Sequence, residues 1–205
     1  MYALVESGTI TKYFNNSKGF MLGDVQYSSD IFTKWSVEEK QAIGIYEVIF
    51  DSSNKKDEKW YINTNQSFAF ANNVVTASYG SATPKAHADT LWTQQNSDDG
   101  DLPDDKSVGD VATRGLKYDL IQTVKKQTAG ILVNTDWYIT RNSEKSTAIP
   151  SAISTHRDAV RTKQAQMETA ITNAADTVAL ETLYTYTTTN GVQSRPLGEL
   201  PVLES

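Results

Sequence analysis

The residues with the means to do chemistry in this chain are few: two histidines, one run of aspartates and no cysteine. His156 could act as a general base only with a carboxylate to orient it. The nearest in sequence, Asp158, lies two residues on and faces another side of a helix. A solvated histidine is therefore expected there, and His87 sits in a polar stretch. No serine lies in a G-x-S-x-G setting, and Gly19, Gly23 and Gly44 are too scattered to cradle a phosphate. Asp98, Asp99, Asp101, Asp104 and Asp105 are the strongest metal candidates. An EF-hand needs glycine in sixth place and glutamate in twelfth. Counted from Asn96, Gly100 falls fifth and Ser107 twelfth, so the run reads as a solvated acidic stretch. Without cysteine there are no disulfides, zinc–thiolate sites or thiol nucleophiles. No catalytic, cofactor or metal site is expected, and the chain is read as not an enzyme.

The bulk composition narrows the partners. A net charge of −6 over 205 residues argues against nucleic acid, which needs clustered Lys and Arg. No window approaches the roughly 20 apolar residues of a membrane span. The opening Met1-Tyr2-Ala3-Leu4-Val5-Glu6 has no basic region or long apolar run, so no signal peptide is expected, and synthesis is placed in the cytoplasm.

The elements that would position any site change character along the chain. Short β-prone runs at 2–5 and 9–14 flank Ser7-Gly8, and two more at 20–22 and 25–27 flank Gly23-Asp24. Ser36-Val37-Glu38-Glu39 matches a capping box, predicting a helix from Val37 to Ile43 that Gly44 ends. The run 45–50 is apolar on both alternating faces and predicts a strand buried on two sides. Further strands are predicted at 60–62, 67–71 and 74–79, the last two joined at Asn72-Asn73. Residues 1–82 thus read as an antiparallel β-rich domain with one short helix. The acidic stretch 83–109 reads as a linker.

Beyond it the period lengthens. Leu116, Leu120, Val124 and Ile131, with Ile121 and Leu132 beside them, predict a helix from Val111 to Val133. Ile153, Val160, Met167 and Ala174 recur every seven residues and predict another from Ser151 to Ala174, with mild coiled-coil character. A short helix from Thr177 to Tyr184 completes a helical module over 110–185. The stretch 186–205, with Pro196 and Pro201, reads as an extended tail ordered only against a partner. The fold class is α+β.

Between the two long helices lies the most patterned stretch. Thr135 or Asp136 is suited to cap a helix, with Trp137 and Tyr138 at its entrance. Pro150 is suited to be the first residue of the next helix, where its missing N–H costs nothing. Arg141, Arg157 and Arg161 are spaced to line polar faces of neighbouring helices. Trp35 and Trp60 are expected to fill the β core, and Trp137 to wedge the helices apart.

This stretch resembles a module of tailed-bacteriophage proteins that includes the phage tail assembly chaperone family. The resemblance rests on Thr135-Asp136-Trp137, Arg141, Ala148-Ile149-Pro150, His156-Arg157 and Val160-Arg161. His156 stands where the module has an aromatic before the arginine. Residues 1–8, with 36–48, look like the N-terminal domain that often accompanies it. The resemblance implies a virion protein of the tail, a fibre or baseplate connector, with other tail proteins as partners and homo-oligomerisation in the assembly. A fibre-assembly chaperone and a protein adsorbing to host glycans are the alternatives it leaves.

Overall fold

Tyr2 and Leu4 turn to one side of the first strand, Ala3 and Val5 to the other, and both sides are covered. The computed structural model describes residues 1–15 and 18–203. It is an α+β protein whose chain divides into two compact units, Met1–Thr83 and Pro84–Ser205. The first unit holds β1 (Tyr2–Glu6), β2 (Thr9–Phe14), β3 (Phe20–Leu22), β4 (Val25–Tyr27), α1 (Ile31–Lys34), α2 (Val37–Ala42), β5 (Ile45–Asp51), β6 (Tyr61–Ile62), β7 (Gln66–Ala71) and β8 (Val74–Tyr79). Five of these strands form one sheet in the order β2-β1-β5-β8-β7. Its rungs are antiparallel except β5–β8, which are parallel and so depart from the antiparallel sheet expected. Helix α1 is a second short helix that the sequence reading lacked.

On one face, Leu4 and Ile45 pack with Phe14, Phe20, Ile31 and Phe32. The aromatic contacts are close, with Phe14 and Phe20 centroids 4.5 Å apart and Tyr2 and Phe32 5.0 Å apart. The other face carries Ala3, Val5, Val48, Val75 and Ala77, flanked by Phe68 and Phe70. No helix is needed to cover it, because the sheet curls. Tyr13 on edge strand β2 meets Phe68 on the opposite edge, β7, at 4.8 Å between ring centres. Small side chains fill the inside of the curl, and each fully buried Val or Ile contributes about 1.5–3 kcal/mol. The double burial expected of β5 is met by Ile45 and Val48, while Ile49 and Phe50 are exposed.

The turn chemistry is local and strong. The Ser36 hydroxyl accepts from the Glu39 N–H at 3.2 Å, and the Glu39 carboxylate accepts from the Ser36 N–H at 2.7 Å. Gly44 has φ +79°, and a side chain there would meet the Val5 carbonyl oxygen at 2.6 Å. The glycine both ends α2 and lets β5 approach β1.

The second unit begins with β10 (Thr90–Leu91) after the two-residue β9 (Thr83–Pro84) at the boundary. It continues with α3 (Gln94–Asp98), β11 (Val111–Thr113), α4 (Leu116–Leu132), a 3-10 turn (Val133–Thr135), α5 (Asp136–Lys145), α6 (Ser151–Asn173), α7 (Thr177–Tyr184), β12 (Thr187–Thr189) and β13 (Val192–Ser194). The stretch expected as a linker, 83–109, is therefore folded, and from Pro84 on it belongs to this unit. Strand β10 pairs with β11, and the Gly109 N–H reaches the Trp92 carbonyl. The carbonyls of Ala86 and His87 accept from the N–H groups of Leu116 and Lys117. Three orphan donors of α4 are thus satisfied, because Asp89 accepts from the Gly115 N–H at 2.8 Å.

The same Asp89 carboxylate pairs with Arg114. The Gly115 N–H first, then Arg114, holds its pKa below the ordinary aspartate value. Stability from this contact is therefore present above the usual carboxylate range and is lost as pH falls through the lowered value. In an acid titration followed at α4, Asp89→Asn is expected to flatten that low-pH loss; an unchanged acid limb would refute the assignment.

Helices α4 and α6 run antiparallel. Lys117 at the start of α4 donates to the Thr172 carbonyl at the end of α6, and Arg157 early in α6 reaches the Leu132 carbonyl. Leu120, Val124 and Thr128 are the buried side chains of α4, and Ile153, Val160, Met167 and Ile171 those of α6, beside the buried Arg157. The seven-residue recurrence is thus used inside the molecule. Helix α4 is shorter than expected because residues 111–113 pair as β11. The 186–205 tail is also anchored within the chain. Leu197 is buried and its N–H reaches the Leu183 carbonyl, while residues 187–194 fold back as a hairpin. Leu197 and a tight Asn-Gly turn thus tie residues 187–198 back onto the chain, where an extended run was expected.

Candidate functional site

The candidate site is the junction between α4 and α5 and the helix that projects from it. Arg157 is its fulcrum. It was expected on a polar face, yet it is 6% exposed. One Nη donates to the Leu132 carbonyl at 2.8 Å and to the Thr135 hydroxyl at 2.7 Å, and the other lies 2.8 Å from the Asp136 carboxylate. A guanidinium fork suits this task, since it places a cation against the negative end of α4 while satisfying last-turn carbonyls. Its Nε has no hydrogen-bond partner among the described residues.

Thr135 is the N-cap residue of α5, as expected, but its side chain makes no cap bond to that helix. It is buried, and its hydroxyl donates back to Leu132 at 3.0 Å while accepting from Arg157. Asp136 is spent on the arginine. Pro150 sits one place before the expected position, as the N-cap of α6, with its carbonyl accepting from Ile153 and Ser154. Arg161 is exposed and lies 3.5 Å from Asp158.

Helix α5 buries none of its residues. Trp137 is 51% exposed and stands with Val133 and Ile139 among the exposed large apolar side chains. The expectation that Trp137 wedges the helices apart is thus overturned: the chain leaves α4 in a 3-10 turn that carries α5 out of the α4–α6 seam. The Trp137 and Tyr138 rings lie 3.8 Å apart, and the Arg141 guanidinium stacks 5.8 Å over Trp137. Trp60, by contrast, is buried, and Trp35 packs at the margin of the β core, as the sequence suggested.

His156 borders a shallow hollow of about 320 Å³ lined by Ile131, Asn134, Thr135, Pro201, Val202 and Leu203, with no carboxylate among these described residues. Among the described residues no three His, Asp or Glu side chains converge as a metal would need; Asp98 and Asp99 accept from Gln94 and Gln95, and Asp105 pairs with Lys106 at 3.3 Å. No described helix is long and apolar enough to cross a membrane.

The chain matches no family model, no curated protein and no solved structure. The bacteriophage resemblance therefore rests on the residues quoted for it. Of those, the structure brings Thr135, Asp136 and Arg157 into direct contact and leaves Trp137, Tyr138 and Arg141 together on the projecting helix. Sequence reasoning missed that division of labour. The available signal was the Asp136–Arg157 pairing of opposite charges on consecutive helices, one buried and one at a cap.

Proposed function

We propose that this chain is a structural component of a bacteriophage tail, a non-enzymatic connector at the fibre or baseplate that docks a neighbouring tail protein through α5. One observation carries the docking role. Helix α5 is ten residues long and fully buries none of them, Tyr138 alone being partly covered, whereas isolated helices shorter than about 12–15 residues are marginal in water. Its exposed Trp137 and Arg141 are the residue types that dominate protein interfaces. A partner covering Val133, Trp137 and Ile139 would supply the burial that this helix lacks. The tail assignment comes from the resemblance of the same stretch, which also supports a location in the virion.

Quantitative proteomics of purified virions, with fibre and baseplate proteins as internal references, tests this. A fixed ratio to those proteins is expected. Presence in infected lysate but absence from finished particles would overturn the connector and make the chain an assembly chaperone.

A further inference from the structure

The β12–β13 hairpin raises a separate question, independent of α5. All six of its strand residues are exposed. Its register pairs Thr189 with Val192, Thr188 with Gln193 and Thr187 with Ser194 around an Asn190-Gly191 turn with φ +52° and +78°. An isolated two-stranded ribbon is marginal in water, and this one has no apolar face packed on anything. Its root is nevertheless firmly held. The Tyr186 hydroxyl and Arg195 both bind Glu199, at 2.6 and 2.8 Å, and Arg195 stacks 5.3 Å from Tyr184 and 5.2 Å from Tyr186.

Proteins normally guard such an edge with charge, proline or a bulge. From Thr187 to Ser194 there is no charged residue, no proline and no register shift. In a two-residue hairpin the residues flanking the turn exchange both hydrogen bonds, and the pairs alternate from there. The N–H and C=O of Thr188 therefore point outward from the β12 edge, and those of Gln193 from the β13 edge.

We infer that the open β12 edge pairs with the same edge of a second copy of this chain, forming a four-stranded antiparallel sheet about a two-fold axis at Thr188. Self-pairing fits because the edge is its own complement: an antiparallel partner centred on Thr188 offers an N–H and a C=O where each is wanted. Threonines face threonines across the axis, a favourable cross-strand pair. Charge points the same way. Copies of a chain carrying −6 repel one another over most of their surface, and this ribbon is an uncharged place where they can meet.

Sedimentation of the full chain over a rising concentration series tests the inference. The mass is expected to climb from 22.7 kDa towards twice that value, with little dependence on salt. Thr188→Pro removes the outward N–H, and Thr188→Lys sets like charges on the axis; each is expected to return the chain to monomer with an unchanged far-ultraviolet melt. Gln193→Pro, on the opposite edge, should leave the dimer intact. Amide exchange at Thr188 should slow at concentrations where dimer forms. A monomer at every concentration, or a dimer indifferent to both Thr188 substitutions, would overturn the pairing.

Discussion

Gly115→Ala is expected to destabilise the helical unit by about 3 kcal/mol or more, towards the upper end of overpacking costs. A Cβ at this position would lie 2.3 Å from both the carbonyl carbon and oxygen of Ala88. No rotamer relieves that contact, since both atoms are backbone. The chain segment would have to move off α4, and with it would go the bonds from Leu116 to Ala86, Lys117 to His87 and Gly115 to Asp89. The same substitution fifteen residues later should do the opposite. Gly130, also in α4, has nothing within 4 Å of the built Cβ, so Gly130→Ala should stabilise by about 0.5–1 kcal/mol through helix propensity. Melting of the two variants by circular dichroism at 222 nm gives the comparison. Equal shifts in the same direction would sink the claim that 84–110 is clamped to α4.

The second large effect separates two residues of the same motif. Arg157→Ala is expected to cost about 2–4 kcal/mol, from charge-assisted hydrogen bonds and lost packing. The figure stays at or below that for breaking a fully buried pair because Asp136 is half exposed and can be resolvated. Trp137→Ala should change stability by no more than about 0.5 kcal/mol, as an exposed site does. Its effect should appear in binding instead, as a loss of about 2 kcal/mol, roughly 30-fold, against the proposed tail-protein partner. Chemical denaturation of both variants, with co-purification of the proposed partner, reads the two quantities. A large loss of stability for Trp137→Ala would mean that α5 packs inward in solution and would remove the basis of the docking proposal.

Local chemistry was largely legible in the sequence. Ser36 and Glu39 form the expected capping box, Gly44 ends the helix, and Thr177–Tyr184 is helical to the residue. Each depends on neighbours within four residues, where side-chain reach is fixed. What was hidden depends on direction. An aromatic at a helix entrance looks the same in sequence whether it turns to a core or to solvent, and only the 3-10 turn after α4 decides Trp137. Acidic composition made 83–109 read as linker, but its order comes from the backbone carbonyls of Ala86 and His87, which carry no sequence signature. Arg157 reads as a surface cation until Leu132, Thr135 and Asp136 are seen to converge on it. The α+β class survived these errors because it follows from periodicity alone.

The sheet order of the first unit sets a timetable for folding. The β1–β2 and β7–β8 pairs are hairpins between strands adjacent in sequence and close over short loops. The rungs joining them, β1 to β5 and β5 to β8, connect strands far apart in the chain. Loop closure must precede any gain from those contacts, so the curl forms last and slowly. Until β8 has been made, a nascent chain holds β5 with one side unpaired and Val48 without Val75 and Ala77 to cover it. During translation, then, the apolar strand at the middle of the sheet is the segment most open to chaperones or to stray pairing, and it is protected only when residues near 79 have left the ribosome.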